Sequence, residues 1–374
     1  MKSGVLPDWR IKELIREGVI LGADEGLVNT SSLDLRLGDE AWKLLGSFLP
    51  FPGQKIENAL SLRDFVDGPS TKQDRFYFEC LQQYAVRLVE SLDLPNSISA
   101  RVFNKSGRGR IGISLKALTD GTQNFDVIKN GYKGDIYAEV CTTSFPIVVH
   151  SEQTAIPQIR FYEGNPQSLS GSELELLLRA HPILTNDEGK PAYDDNEKAY
   201  MIRTGKLTFT ANIPKEGLLA YVAKRDKRTL DLSRKGLYLP EDFFREEVRK
   251  DRGEGTVVIH PGDFVLINSK ESIRLPPFIA AEIDEYSSDL GDMKSHYAGL
   301  INASHGYDPR GENVPSHIVF EIRARDMPII IRDGQPLARF DLYRMLGEPE
   351  GSYSAVQSTT FKDLKSILPT IFKR

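Results

Sequence analysis

The residues best placed to do chemistry lie in 101–112, RVFNKSGRGRIG. Arg101, Lys105, Arg108 and Arg110 fall within ten positions of a chain whose formal net charge is -5. Lys105, Ser106 and Gly107, with Gly109 and Gly112 following, form a short turn of cations and small residues. A polyphosphate is bound by such a turn through backbone N–H groups free of side-chain bulk, reinforced by cations. The alternative is a solvated basic turn. A second group is Glu139, in the alternating run DIYAEV. Ile136, Ala138 and Val140 share one face of that strand, while Tyr137 and Glu139 share the other. A glutamate beside an aromatic ring on a partly dry face has a raised pKa and can shuttle protons. A lone strand glutamate is otherwise a surface carboxylate.

Other motifs carry less. Gly107-x-Gly109-x-x-Gly112 spells the dinucleotide fingerprint, but that fingerprint works only where a strand opens into a crossover helix on a parallel sheet. Residues 113–118 are too few for such a helix before Thr119-Asp120-Gly121 ends it. The run Lys224-Arg225-Asp226-Lys227-Arg228 reads as a solvated turn. Six scattered histidines and two cysteines, Cys80 and Cys141, supply no spaced ligand set for zinc, structural or catalytic. Two cysteines also exclude a disulfide scaffold and imply reduced thiols in a cytoplasmic protein. The mildly acidic balance argues against a general nucleic-acid binder. No apolar run reaches membrane-spanning length, and the opening MKSGVLPDWRIKELI has no signal core, so neither membrane insertion nor export is expected.

The elements that must hold these groups are mostly short strands. The 374 residues, 40% hydrophobic and 27% charged, provide for two or three domains with a substantial core. Residues 8–17 have helical apolar spacing after Pro7. Residues 29–38, NTSSLDLRLG, alternate as a half-buried strand. Residues 44–75 read as loop. From Arg75 short strands follow in series, at 75–80, 85–92, 98–103, 111–115, 136–141, 145–150 and 155–162. Residues 168–180 are helical, and 181–196 are polar and turn-rich, the best linker. The second half repeats the strand-and-turn grammar at 206–211, 218–223, 229–232, 256–259, 263–269, 279–283, 318–323, 328–331 and 337–343. A short helix is expected at 241–249, and a tail at 361–372 that docks on the body. This grammar predicts a mainly β protein of antiparallel sandwich or barrel type with few helices.

Internal duplication organises the whole. ESLDLPNSISARV at 90–102 lies against ESIRLPPFIAAEI at 271–283. Further on, Glu139 meets Glu321, Pro146 meets Pro328 and Gln153 meets Gln335, after a slip of one residue. Ser106 aligns with Ser287, but Arg110 aligns with Gly291. The basic cluster of copy one becomes Asp284, Glu285, Asp289 and Asp292 in copy two. One working copy and one drifted copy are expected, divided as 1–165, a helix and linker at 166–200, and 201–374.

As an ordered set, NTSSLDLRLG, NKSGRGRIG and GYKGDIYAEV resemble the dCTP deaminases, members of the trimeric dUTPase-like β-fold. The double length, GVLPDWRI and HPGDFVLINS resemble the tandem bacterial subgroup. The resemblance implies two tandem dUTPase-like barrel or sandwich repeats. It makes 105–110 the nucleotide-contacting loop, with Lys105, Gly107, Arg108 and Gly109 in it and Ser106 and Arg110 as active-site residues. Glu139 matches the catalytic glutamate, with Tyr137 and Ala138 in the segment facing the base. Lys129 stands where the family has an aspartate, with Asp126 a possible substitute, and the family's C-terminal lid has no match after Phe161. The implied reaction is dCTP plus water to dUTP and ammonia, zinc-independent, with Mg²⁺ carried on the triphosphate. The implied assembly is a homo-oligomer with sites at repeat or subunit interfaces. A dUTP pyrophosphatase of the same fold would need a carboxylate where Lys129 stands. An inactive nucleotide-binding protein is the third reading.

Overall fold

The long strand Ser32–Leu44 organises the first half of the computed structural model, which describes residues 3–225, 228–249, 255–283, 293–296, 298–307, 316–351 and 367–373. Its early residues pair with Ala155–Glu163 and its later ones with Gln83–Asp93, both antiparallel. Ile98–Asn104 extends the sheet beyond 155–163, and Lys133–Thr142 then Ile113–Leu118 extend it beyond 83–93. Leu33, Leu35 and Leu37 are fully buried, so the predicted alternation holds. The opposite face is not open to water: Arg36 donates to Glu90, and Lys105 pairs with Asp34. The helix Asp8–Arg16 closes this core with Ile11 and Leu14.

The second half has the same character, with a six-stranded, a four-stranded and a two-stranded sheet around Phe209, Ile267, Phe320 and Phe340. Its core is continuous with that of the first at one edge. Ile147 and Val148 pair parallel with Leu230 and Asp231, and Phe145 stands edge-on to Phe243 at 5.2 Å. No helix among the described residues is long and apolar enough to cross a membrane.

Three local expectations need correction. Residues 241–249 are not one helix: Pro240–Phe243 makes a turn of helix, and Phe244–Arg249 pairs as a strand with Gly217–Ala223. The open edge of a neighbouring strand outweighs the helix propensity of the charged residues in FREEVR. The linker at 181–196 is only partly a linker. Ile183 and Leu184 are fully buried in the second core, and Leu184–Thr185 pairs with Ile273 and Ser272. The same stretch runs into an unexpected helix, Asp195–Thr204, started by an Asp194–Glu197 capping box. The 44–75 loop also holds a helix, Ile56–Leu60, and a buried cluster of its own. At the C-terminus, Ile371 and Phe372 are buried and Phe372 bridges to Tyr238. Residues 361–366, Ser287, Gly291 and the acidic positions 284, 285, 289 and 292 lie outside the described residues.

The two halves are locked by a fully buried arginine. Arg160 donates to the carbonyl of Ala281 (2.9 Å), to the Glu282 carboxylate (3.1 Å) and to the carbonyl of Ile301 (2.9 Å). It also donates to Ser31 Oγ at 3.2 Å. Tyr162 and Arg101 donate to the same carboxylate. Beside them Ser31 and Ser32 donate to Asn302, and Thr30 donates to the carbonyl of Ala303. The threonine and serines of NTSSLDLRLG are therefore the contact surface for the second half. Arg160→Met leaves Glu282 buried without its main partner. The expected cost in a urea titration is about 3–5 kcal/mol, and a loss under about 1 kcal/mol would show that the joint is not what holds the halves together.

Candidate functional site

After Ile98–Asn104 the chain turns at Lys105 into a single helical turn, Ser106–Gly109. The amides of Arg108 and Gly109 donate back to the Lys105 carbonyl, and that of Arg110 to Ser106. The turn thus consumes most of the N–H groups that the sequence suggested were open. Ser106 is exposed and Gly107 half-buried at its head. The strands on either side pair antiparallel with their neighbours, so the glycine spacing has none of the dinucleotide context.

Each cation of the turn has a protein partner. Lys105 pairs with Asp34, and Arg108 donates to the carbonyl of Ala155 at 3.1 Å. Burial pushes the Arg108 guanidinium down to about 10. Arg110, 7% exposed, donates to the carbonyl of Ile367 at 2.8 Å. The docked C-terminal segment therefore reaches the turn, a contact with no signal in the sequence.

The face of Gly109 meets the second half. A β-carbon on Gly109 would sit 2.7 Å from the carboxyl carbon of Glu321 and closer still to both its oxygens. Glu321 is 2% exposed on the strand His317–Ala324. Its Oε2 accepts the Ala298 N–H at 3.0 Å, and its own N–H donates to Ser295. Lys294 lies in the field of Glu321, Lys116 and Asp126, and burial lowers its pKa.

Glu139 stands elsewhere on this seam. It is 4% exposed, opposite Lys116 and Ala85 in the sheet. Burial raises its pKa, opposed by hydrogen bonds from Ser47 and the Phe48 amide and by the Lys116 charge. Its Oε2 is buried with no hydrogen-bond partner. The two faces of the strand divide as the alternation required. Ala138 is fully buried, its side chain facing the main core. Tyr137 packs 6.0 Å from the Trp42 ring in a cluster with Phe48, Leu60 and Val66. The Tyr137–Glu139 face is thus covered by residues 45–66 of its own half. The motif turn is held by Asp34, Ala155, Ile156 and Ile367 and lies against Glu321, while Glu139 is held by Ser47 and Phe48 and faces the Lys116 charge. The structure brings the turn to Glu321.

The remaining candidates sit apart from the turn. Lys129 is exposed, its carbonyl holding the Tyr132 amide. Asp126, with φ of 65°, accepts the Ala117 N–H at 2.6 Å. With Arg101, Glu282 and Tyr343 it lines a cavity of about 500 Å³ between the halves. Gln153 is exposed in a turn, and Gln335 accepts the Arg332 N–H. In the basic run Arg225 donates to Pro261 and Arg228 pairs with Asp242, as a surface turn would; Asp226 and Lys227 lie outside the described residues. Cys80 and Cys141 are free thiols. No group of three or more His, Cys, Asp or Glu side chains stands together among the described residues.

An antiparallel β protein with two like halves and its motif turn at their junction is a dUTPase-like architecture. The comparisons make this specific. Residues 2–165 match the N-terminal domain, and 183–368 the C-terminal domain, of 2'-deoxycytidine 5'-triphosphate deaminase. The crystal structure of 2'-deoxycytidine 5'-triphosphate deaminase from Agrobacterium tumefaciens superposes with a TM-score of 0.81 at 28% identity. The match covers 92% of this chain and 100% of that one. A dUMP-forming dCTP deaminase of Methanoculleus marisnigri is 29% identical over 163 residues, 42% of this chain and 80% of its own length. One from Methanosphaera stadtmanae is 25% identical over 211 residues, 54% of this chain and 90% of its own. The chain belongs to the dCTP deaminase family.

The raised pKa of Glu139 has a consequence for stability. The folded state holds its proton above the 4.5 of a free glutamate. Its contribution is therefore fully present below pH 4.5 and is lost as pH rises through the folded-state value. Glu139→Gln should melt increasingly above wild type as pH rises from 4.5 through the folded-state value. A melting difference that does not change with pH would show that Glu139 does not titrate in that window.

Proposed function

We propose that this chain hydrolyses the amino group of dCTP, giving dUTP and ammonia, at the junction where the motif turn meets a carboxylate-bearing strand. Family membership sets the substrate class. The observation that carries the reading is the contact of Gly109 with a buried glutamate from the other half of the chain. It juxtaposes a cationic turn with a proton-transfer group in a site largely shielded from water.

The chemistry follows from those parts. Water adds to C4 of the cytosine as a glutamate carboxylate takes one of its protons and N3 of the ring gains one. The carboxylate passes that first proton to N3 and then carries the new hydroxyl's proton to the amino group as the tetrahedral adduct collapses: C4=O forms, the C4–N bond breaks, ammonia leaves, and the carboxylate ends the cycle as it began. One carboxylate that accepts and returns a proton serves every step, and such a group supplies about 10²–10⁴ in rate. Ser106, exposed at the head of the turn, holds the water. Arg110 turns from the Ile367 carbonyl toward the developing charge. Lys105 and Arg108 face the phosphates, and Mg²⁺ enters as part of the Mg–dCTP complex.

The relatives named as dUMP-forming motivate a second reading, in which pyrophosphate is also released. That step needs a base positioned for attack on the α-phosphate, and exposed Lys129 does not provide one at the usual place. Incubation with dCTP and Mg²⁺ separates the readings. Ammonia with dUTP is expected, ammonia with dUMP and pyrophosphate supports the second reading, and no ammonia defeats both. Arg110→Ala should cut ammonia release by about 10²–10³, the scale of losing one transition-state donor; full activity would remove the turn from the site. Light scattering on the same preparation tests the expected homo-oligomer.

A further inference from the structure

Resting on the deaminase reading, we infer that the proton-shuttling carboxylate of this chain is Glu321 of the second half, and that Glu139 of the first half no longer serves. The working site is then assembled from one half's turn and the other half's acid.

Three independent placements support this assignment. The first is contact. Gly109 is the residue of the motif turn that lies against the Glu321 carboxylate, at a separation that leaves no room for a β-carbon. Glycine is required there by its neighbour and not by its backbone, since Gly109 is absent from the glycines with positive φ.

The second is anchoring. The segment that donates to Glu321, beginning at Ala298, is fixed to the first half a few residues further on. Asn302 is held by Ser31 and Ser32, Ala303 by Thr30, and the Ile301 carbonyl by Arg160. Gly299 lies next to the ring of Phe103, two residues before Lys105. The acid and the turn are therefore positioned by the same joint, which limits their relative movement.

The third is complementarity of the two copies. The first kept Ser106 and Arg110, while the second has glycine at the position matching Arg110. The second kept Glu321 against the turn, while the Tyr137–Glu139 face is closed by Trp42, Ser47 and Phe48. The first half supplies the arginine that the second lacks, and the second presents its carboxylate to the turn.

The test compares Glu321→Gln with Glu139→Gln in the full-length protein, reading ammonia release and dCTP affinity. Glu321→Gln is expected to lower kcat by about 10²–10⁴ with dCTP affinity within about tenfold, while Glu139→Gln keeps kcat within about threefold. The reverse pattern overturns the inference and leaves the deaminase reading intact. Loss of turnover in both variants also overturns it, because Glu139 would then be needed. A wild-type protein that releases no ammonia overturns the deaminase reading and the inference with it. A readout free of activity covers the case in which Glu321→Gln folds poorly. Gly109→Ala should lower the melting temperature in the wild-type background and much less beside Glu321→Ala, which removes the colliding carboxylate. Equal losses in both backgrounds would show that turn and acid do not meet.

Discussion

A guanidinium with no exposed surface determines how the two halves of this molecule face each other. Arg160 satisfies its donors with three carbonyls, a carboxylate and a hydroxyl; the carbonyls of Ala281 and Ile301 and the Glu282 carboxylate come from the opposite half. Burying such a charge is unfavourable unless its partners are placed well, so the arrangement tolerates little sliding. Glu282 in turn is held by Tyr162 and Arg101. An apolar seam of equal area would bury surface without fixing register, whereas directional hydrogen bonds set position to a fraction of an ångström. The meeting of Gly109 with Glu321 is downstream of that joint.

Duplication gives a chain freedom to divide tasks. Two identical halves would present two equivalent junctions, each with a turn and an acid. Here one junction brings a cationic turn to a buried carboxylate. Elsewhere between the halves Arg101, Asp126, Glu282 and Tyr343 line a cavity of about 500 Å³. Ser47 and Phe48 stand against Glu139, and Phe48 belongs to the group of residues from Trp42 to Val66 that packs on Tyr137. They form a small apolar cluster whose burial favours a neutral glutamate beneath it.

Much of the local structure was legible because strand alternation is a local property. Leu33, Leu35 and Leu37 point inward, and Ala138 and Glu139 take opposite faces, because successive β-carbons alternate whatever lies around them. The failures were equally physical. FREEVR at 244–249 looks helical by composition until a neighbouring strand offers its edge. Ile183 and Leu184 are two apolar residues in a polar stretch, too few to signal that they plug a core. NTSSLDLRLG read as a strand with a polar face, and nothing in ten residues says that Thr30, Ser31 and Ser32 bond to positions about 270 residues away.

The amino-acid sequence by itself determined the mainly β grammar, the doubling, the cationic turn and the family the chain belongs to. These depend on residue type and spacing, which the chain carries whether folded or not. Which glutamate stands against that turn was decided only by tertiary structure. The sequence offers two, at equivalent places in two copies, and adjacency along the chain favours Glu139. The junction built on Arg160 selects Glu321, because contact across a joint depends on the rigid placement of two whole halves and leaves no trace in local spacing.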